Sequence, residues 1–243
     1  MTEQNPRLVR VYDELNSGTW DTDFYAAQLS AEPLRVADIG CGTGAFAVRL
    51  ARLGHQVVGV DPSSAMLDFA RRREGAELVH WLDGTAESLP SGPFDAALMM
   101  GHAFQCLLSD EAILATLRAV RSRLAPGGRF MFESRNPVAK AWLGWNTPEN
   151  QPSRTETASE GPLEESYRVL SAKNELVDFE CWNKFLSDDE EITERATLRF
   201  APASTLDTLL AAAGFGAIRW FGDWNGADFD PRSSAEIIVI AAS

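Results

Sequence analysis

Basic residues are scarce in this chain. Lys and Arg number 22 against 35 Asp and Glu, for a formal net charge of −13. Nucleic-acid binding rests on Lys and Arg neutralising phosphates, so a surface of this sign argues against DNA or RNA as a partner. Long apolar runs are missing as well. Nothing approaches the roughly 18 consecutive apolar residues of a membrane-crossing helix, and Met1 to Arg10 holds no apolar signal core. No membrane partner is expected. Cysteine is rare and odd in number: Cys41, Cys106 and Cys181 have no metal-like spacing and read as reduced thiols of a cytoplasmic protein. Neither H-x-x-x-H nor C-x-x-C occurs, and the acidic run Asp188-Asp189-Glu190-Glu191 suits a solvated turn, so no metal is expected. What remains is ordinary globular material, 45% apolar and 23% charged over 243 residues. That suits one domain with an elaboration.

Against this plain background one stretch stands out. Val36-Ala37-Asp38-Ile39 is an apolar strand pattern that runs into Gly40-Cys41-Gly42-Thr43-Gly44. Three glycines on alternate positions let the backbone take positive φ and approach a ligand closely. A helix pattern follows (Phe46, Val48, Leu50, Leu53, stopped by Gly54), then a second apolar strand, Val57-Val58-Gly59-Val60, that ends in Asp61. A carboxylate at that strand end can accept from both hydroxyls of a ribose. The unit is therefore built for a nucleoside-containing cofactor. A dinucleotide fits the glycine spacing and would rest its pyrophosphate on the helix N-terminus. Asp38 would then place a negative charge beside that pyrophosphate, which is unfavourable. S-adenosylmethionine has no phosphate, and its ammonium and sulfonium both gain from a nearby acid.

The rest of the chain extends this unit. Residues 1–33 form a polar and aromatic lead-in that suits a helical lid. Residues 34–143 alternate strands (Leu34–Ile39, Gln56–Val60, Glu77–Leu82, Phe94–Met99, Arg129–Glu133) with helical patterns at 44–53, 63–73 and 110–124. Such alternation predicts an α/β, doubly wound, mostly parallel sheet that forms the cofactor-binding core. Residues 144–200 change character: loop chemistry to about 164, then period-2 segments at 165–172, 175–186 and 190–200. We read them as an antiparallel insertion over the acceptor site, too small to bury a core alone. Residues 201–243 return to the core with a helix, whose Ser204–Asp207 spacing resembles a capping box, and two last strands at Phe215–Trp220 and Ile237–Ala241.

In an open parallel sheet, ligands lie beyond the C-terminal strand ends. The fourth strand ends at Met99-Met100-Gly101-His102-Ala103-Phe104, beside the glycine turn. His102 is the candidate general base, since imidazole titrates near neutral pH and an amine or hydroxyl acceptor must lose a proton. A histidine that merely bonds a carbonyl at a strand end is the plain alternative. Phe104 could line the acceptor. Arg135 and Asn136 follow the fifth strand and could orient a substrate oxygen or carboxylate, although loop polarity also accounts for them. Trp224, in a Gly/Asn/Asp turn, could wall the acceptor pocket or simply cover an edge.

These motifs together resemble the class I S-adenosylmethionine-dependent methyltransferases. D-x-G-x-G-x-G at Asp38–Gly44 is similar to their first motif, Val60-Asp61-Pro62-Ser63 with Met66 to the second, and Gly84-Thr85-Ala86-Glu87-Ser88-Leu89-Pro90 to the third. Phe94–Leu98 and Leu124–Phe130 resemble the fourth and fifth strands. The resemblance implies a seven-stranded sheet with an antiparallel last strand and S-adenosylmethionine as cofactor. It implies cofactor contacts at Asp38, Gly40, Cys41, Gly42, Asp61, Pro62, Met66, Asp83, Gly84, Thr85, Ala86 and Met100. The family carries Asp where this chain has Thr85. A hydroxyl can still accept from the adenine amine, and Asp83, two residues earlier on the same face, can substitute. Gly101-His102 and Tyr12-Asp13 also resemble small-molecule N-methyltransferases, the sugar-amine and glycine enzymes, which carry an antiparallel insertion after the fifth strand. That likeness places Tyr12 near the sulfonium and favours N- over O-methylation of a small-molecule acceptor, by a monomer or homodimer. Two other readings stay open: a non-catalytic S-adenosylmethionine sensor, and a nicotinamide-dependent oxidoreductase.

Overall fold

The alternation of apolar residues settles into two layers of helix around one sheet. The structure, a computed structural model, describes residues 4–148 and 151–243. The start of the lead-in and two positions of the 144–164 loop lie outside the described residues. The main sheet is formed by β1 (Arg35–Ile39), β2 (Gln56–Asp61), β3 (Val79–Asp83), β4 (Phe94–Met99), β5 (Leu124–Arg135), β10 (Ile218–Phe221) and β11 (Glu236–Ala242). Their order is β10-β11-β5-β4-β1-β2-β3. Pairing is parallel from β5 across to β3, and β11 runs antiparallel to both its neighbours.

Side-chain alternation sends odd and even residues to opposite faces. Ala37, Ile39, Ala97, Met99, Phe130 and Phe132 meet α5 (Asp110–Arg121) and α6 (Ala203–Ala212) on one side. Val36, Ala96, Leu98 and Met131 meet α2 (Trp20–Gln28) and α3 (Ala45–Arg52) on the other. Both faces are covered, as parallel sheets require.

Between β5 and α6 the chain builds a second, antiparallel sheet, β6-β7-β8-β9 (Ser153–Thr157, Gly161–Lys173, Leu176–Phe185, Glu190–Arg199). Three of these strands match the expected period-2 segments. β6 was hidden by the prolines and polar residues around it, and only pairing with β7 makes it a strand. Asn174 and Glu175, both at positive φ, turn β7 into β8. One local expectation fails. α6 begins at Ala203 with Pro202 as its N-cap and no side-chain cap bond, so Ser204 and Asp207 lie inside the helix rather than capping it.

The lead-in folds as α1 (Pro6–Leu15), capped by Asn5 Oδ1, and α2. α1 straps the two sheets together. Leu8 and Val11 pack on Leu163 and Phe185 of the insertion, and Arg7 pairs with Glu160, Asp188 and Glu190. At its far end Asp13 reaches the glycine turn, accepting from Thr43 Oγ1 at 2.6 Å and from Arg73.

Candidate active site

The glycine turn sits between the ends of β1 and β2. Gly40 N and Cys41 N both donate to Val60 O, which folds the turn over β2. Gly42 N donates to Asp61 Oδ2 and Ser63 N to Asp61 Oδ1, each at 2.8 Å. Gly42 has φ +54, and a Cβ added to it would meet nothing within 4 Å, so this face of the turn is open space. Gly44 is glycine for a different reason: a Cβ there would strike the Trp81 ring at 2.4 Å.

Three acids surround that space. Asp38 is only 3% exposed. Burial first, and then the charge of Asp61, push its carboxyl up to about 7. Among the described residues no side-chain or backbone donor reaches it. Burial, and then the charge of Asp38, raise the neighbouring Cys41 thiol in turn. Asp61 is also raised, by burial above all, although the Ser63 and Gly42 N–H groups oppose this. Asp83 is the register neighbour of Asp61 on β3 and lies exposed at the strand end. A pyrophosphate would meet this cluster with like charge. An ammonium and a ribose diol would meet it with complementary chemistry, so the residues present fit S-adenosylmethionine. Asp38 would hold the ammonium and the second lone pairs of Asp61 the ribose hydroxyls.

Met66 is buried, its N–H donating to Ser63 Oγ, and in the Asp83–Ala86 turn Gly84 N donates to Asp61 O. Thr85 Oγ1 donates to Glu87 and keeps its lone pairs as acceptor capacity. Ala86 is buried, Pro62 is exposed, and Met100 is half-buried. Tyr12 is 37% exposed. Burial first, and then the charges of Asp13 and Asp61, raise its hydroxyl.

His102 adopts φ +58, an uncommon left-handed conformation for a side-chain-bearing residue. A brace enforces it. His102 N donates to Glu133 Oε1 at 2.6 Å, and Tyr25 O–H donates to Glu133 Oε2 at 2.5 Å. Glu133 is fully buried on β5, and burial raises its carboxyl while His102 and Tyr25 oppose the rise. The imidazole Nε2 lies 3.0 Å from Glu236 Oε2. With Nε2–H donating to Glu236, Nδ1 is the acceptor nitrogen and the carboxylate steadies the imidazolium that forms on protonation. Arg135 lies beside this pair. Its Nη1 donates to Gln105 Oε1 at 2.9 Å, and its guanidinium sits 5.3 Å from the centre of the Trp145 ring.

Three other expected acceptor contacts are placed elsewhere. Phe104 is turned into the core by the short helical turn after His102 and stacks on Phe132 at 4.0 Å. Asn136 is buried, with Nδ2 donating to Ser234 O and Pro231 O and Oδ1 accepting from Val138 N, so its amide is spent on the loop before β11. Trp224 packs edge-on against Phe24 and Tyr25 and covers the sheet edge under α2. Sequence reasoning missed Glu133, Glu236, Tyr25 and Gln105. Glu133 carried a signal, a lone acid closing the apolar run Phe130-Met131-Phe132, because a buried acid must be paired. Glu236 carried none. Among the described residues no group of three His, Cys, Asp or Glu side chains could hold a metal, and no helix is long and apolar enough to cross a membrane.

Comparison with known proteins agrees with this fold. A methyltransferase-domain model matches residues 36–128. A relative, the putative methyltransferase YqeM of Bacillus subtilis, is 26% identical over 96% of this chain and 94% of its own length. Three further curated relatives are matched over only 40–46% of their length, so the chain spans less than half of each. Among solved structures, an S-adenosylmethionine-dependent methyltransferase from Clostridium acetobutylicum superposes with TM-score 0.79 at 14% identity, covering 97% of both chains. CalS10, an amino pentose methyltransferase from Micromonospora echinaspora with S-adenosylmethionine bound, gives 0.70 at 20% identity over 96% of this chain and 97% of that one. Residues 36–128 thus match a methyltransferase domain, and the chain as a whole shares its fold with solved S-adenosylmethionine-dependent methyltransferases.

Proposed function

We propose that this chain methylates a nitrogen of a small-molecule acceptor held between His102 and the β6–β9 insertion. The observation that carries this reading is the 3.0 Å contact between His102 and Glu236 at the end of β4, beside the glycine turn. When bound, S-adenosylmethionine supplies a methyl group on a positively charged sulfur that departs as a neutral thioether. The protein's tasks are then alignment, exclusion of water and removal of one proton. Asp38 and Asp61 hold the cofactor's two polar ends, and Tyr12 covers it from α1. An amine enters such an acidic cleft as an ammonium and must lose a proton before its lone pair can attack. His102 Nδ1 accepts that proton while Glu236 keeps the ring in place and balances its charge.

The N-preference draws support from the cleft's acidity and from the likeness to an amino pentose methyltransferase. A net charge of −13 supports an acceptor other than nucleic acid, and three free cysteines suit a reducing cytoplasm. The test is formation of S-adenosylhomocysteine from S-adenosylmethionine and a library of small amines and phenols. His102→Ala should bind the cofactor normally and lose turnover. Undiminished turnover would end the base role. Cofactor binding with no product from any acceptor would favour the sensor reading, and binding of NADH instead would revive the oxidoreductase.

A further inference from the structure

Arg135 and Glu236 are direct register partners on β5 and β11. Opposed residues on one face of an antiparallel pair have Cβ atoms about 5 Å apart, close enough for opposite charges to pair. Here they do not. Glu236 turns to His102, and Arg135 turns the other way, to the neutral oxygen of Gln105. Among the described residues no carboxylate lies within ion-pair distance of Arg135. The chain's best-buried paired arginines behave differently: Arg7 (12% exposed side chain) holds three carboxylates and Arg199 (10%) holds two.

The unpaired guanidinium is nevertheless fixed. Gln105 is itself buried and anchored through Nε2 to Arg199 O at 2.8 Å. Trp145, which stacks over Arg135, is wedged against Phe179 and Phe200. Burial acts to lower the Arg135 pKa, the mark of a desolvated cation, with Glu236 and Glu133 opposing. A guanidinium has five N–H donors, and hydrogen bonds to neutral groups leave most of its charge uncompensated. The arrangement is a rigid, half-buried fork whose shape and charge suit a planar anion.

We infer that Arg135 is an anion subsite of the acceptor site: the acceptor carries a carboxylate that seats on the guanidinium, with its nucleophilic amine beside His102. This rests on the methyl-transfer reading for the identity of the bound molecule as acceptor. The aromatic face of Trp145 forms one wall of the subsite, and Glu236 separates the anionic end from the proton-accepting end. Amino acids and aminobenzoates belong to this substrate class, and simple amines do not.

The test separates the two claims. Protein saturated with S-adenosylhomocysteine and labelled with ¹⁵N-arginine is titrated with glycine, phenylalanine, 4-aminobutyrate and 4-aminobenzoate, each beside its carboxamide. The Nε–H signal of Arg135, assigned as the one missing in Arg135→Lys, should shift with the acids, and their dissociation constants should be at least about tenfold below those of the amides. Arg135→Gln should abolish that preference and leave the S-adenosylhomocysteine affinity unchanged. With an acid that is turned over, Arg135→Gln should raise KM and leave kcat close to wild type, and Arg135→Lys should recover part of the loss. Equal binding of acids and amides, no shift with any acid into the millimolar range, or a preference that survives Arg135→Gln would each overturn the subsite. Tight anion binding without methylation would count against the methyl-transfer reading and leave the subsite standing.

Discussion

Replacing Asp38 by Asn should make the cofactor-free protein more stable and its cofactor binding worse. The carboxyl is buried without a donor, and its pKa rises from 3.8 to about 7. A rise of about three units corresponds to roughly 4 kcal/mol of penalty on the ionised form, at about 1.36 kcal/mol per unit. The sign follows from linkage. An acid whose folded pKa lies above its unfolded value contributes stability that is fully present below the unfolded value, near 3.8, and is lost as pH rises through about 7. Asn carries no such penalty. The variant should therefore match the wild type near pH 4 and exceed it above about pH 7, by up to roughly 4 kcal/mol. For a chain of this size that is a melting-temperature gain of about 2–4 °C per kcal/mol. Thermal unfolding across this pH range, in the absence of cofactor, measures it. Binding should move the opposite way. A cationic ligand needs the carboxylate ionised, so wild-type affinity for S-adenosylmethionine should rise about tenfold per pH unit below 7, level off above, and release a proton on binding in the rising range. Calorimetry in two buffers of different ionisation enthalpy reads that proton. A melting difference independent of pH, together with pH-flat affinity, would refute the claim that Asp38 is held as an unpaired acid awaiting a cation.

Three further outcomes follow from the same geometry. Tyr25→Phe removes one of the two donors to the buried Glu133 and should cost about 1–3 kcal/mol in urea unfolding, with a fall in kcat as His102 loses its brace. Gly42→Ala should cost the fold only roughly 1–2 kcal/mol for its positive φ. The new methyl group projects into open space at the turn, so affinity for S-adenosylmethionine should fall at least about tenfold by calorimetry. Phe185→Ala cuts the contact between α1 and the insertion and should destabilise by about 3–5 kcal/mol, and limited proteolysis should then cut within α1 faster.

Local pattern determined much of this protein. Period-2 apolar runs broken by helical spacing marked β1 to β5 within a few residues, because parallel strands and their crossover helices are written in contiguous segments. Asp38, the glycines and Asp61 were legible for the same reason: a turn and the strand ends beside it lie within one short stretch of chain. Boundaries slipped where pairing overrode propensity, as in β6 and in the early start of β5 through Pro126-Gly127-Gly128, which a register shift opposite Phe94 and Ala96 accommodates. The surroundings of His102 were decided by tertiary structure. His102 meets Glu236 across 134 residues, and α1 reaches Glu160 across 153. Phe104 could as well have faced a ligand until a single short turn sent it to Phe132, and Asn136 until the loop before β11 claimed its amide. A side chain at a strand end points wherever its nearest partner draws it, and that partner is chosen by sheet register and loop packing, neither of which is encoded in the residues next to it.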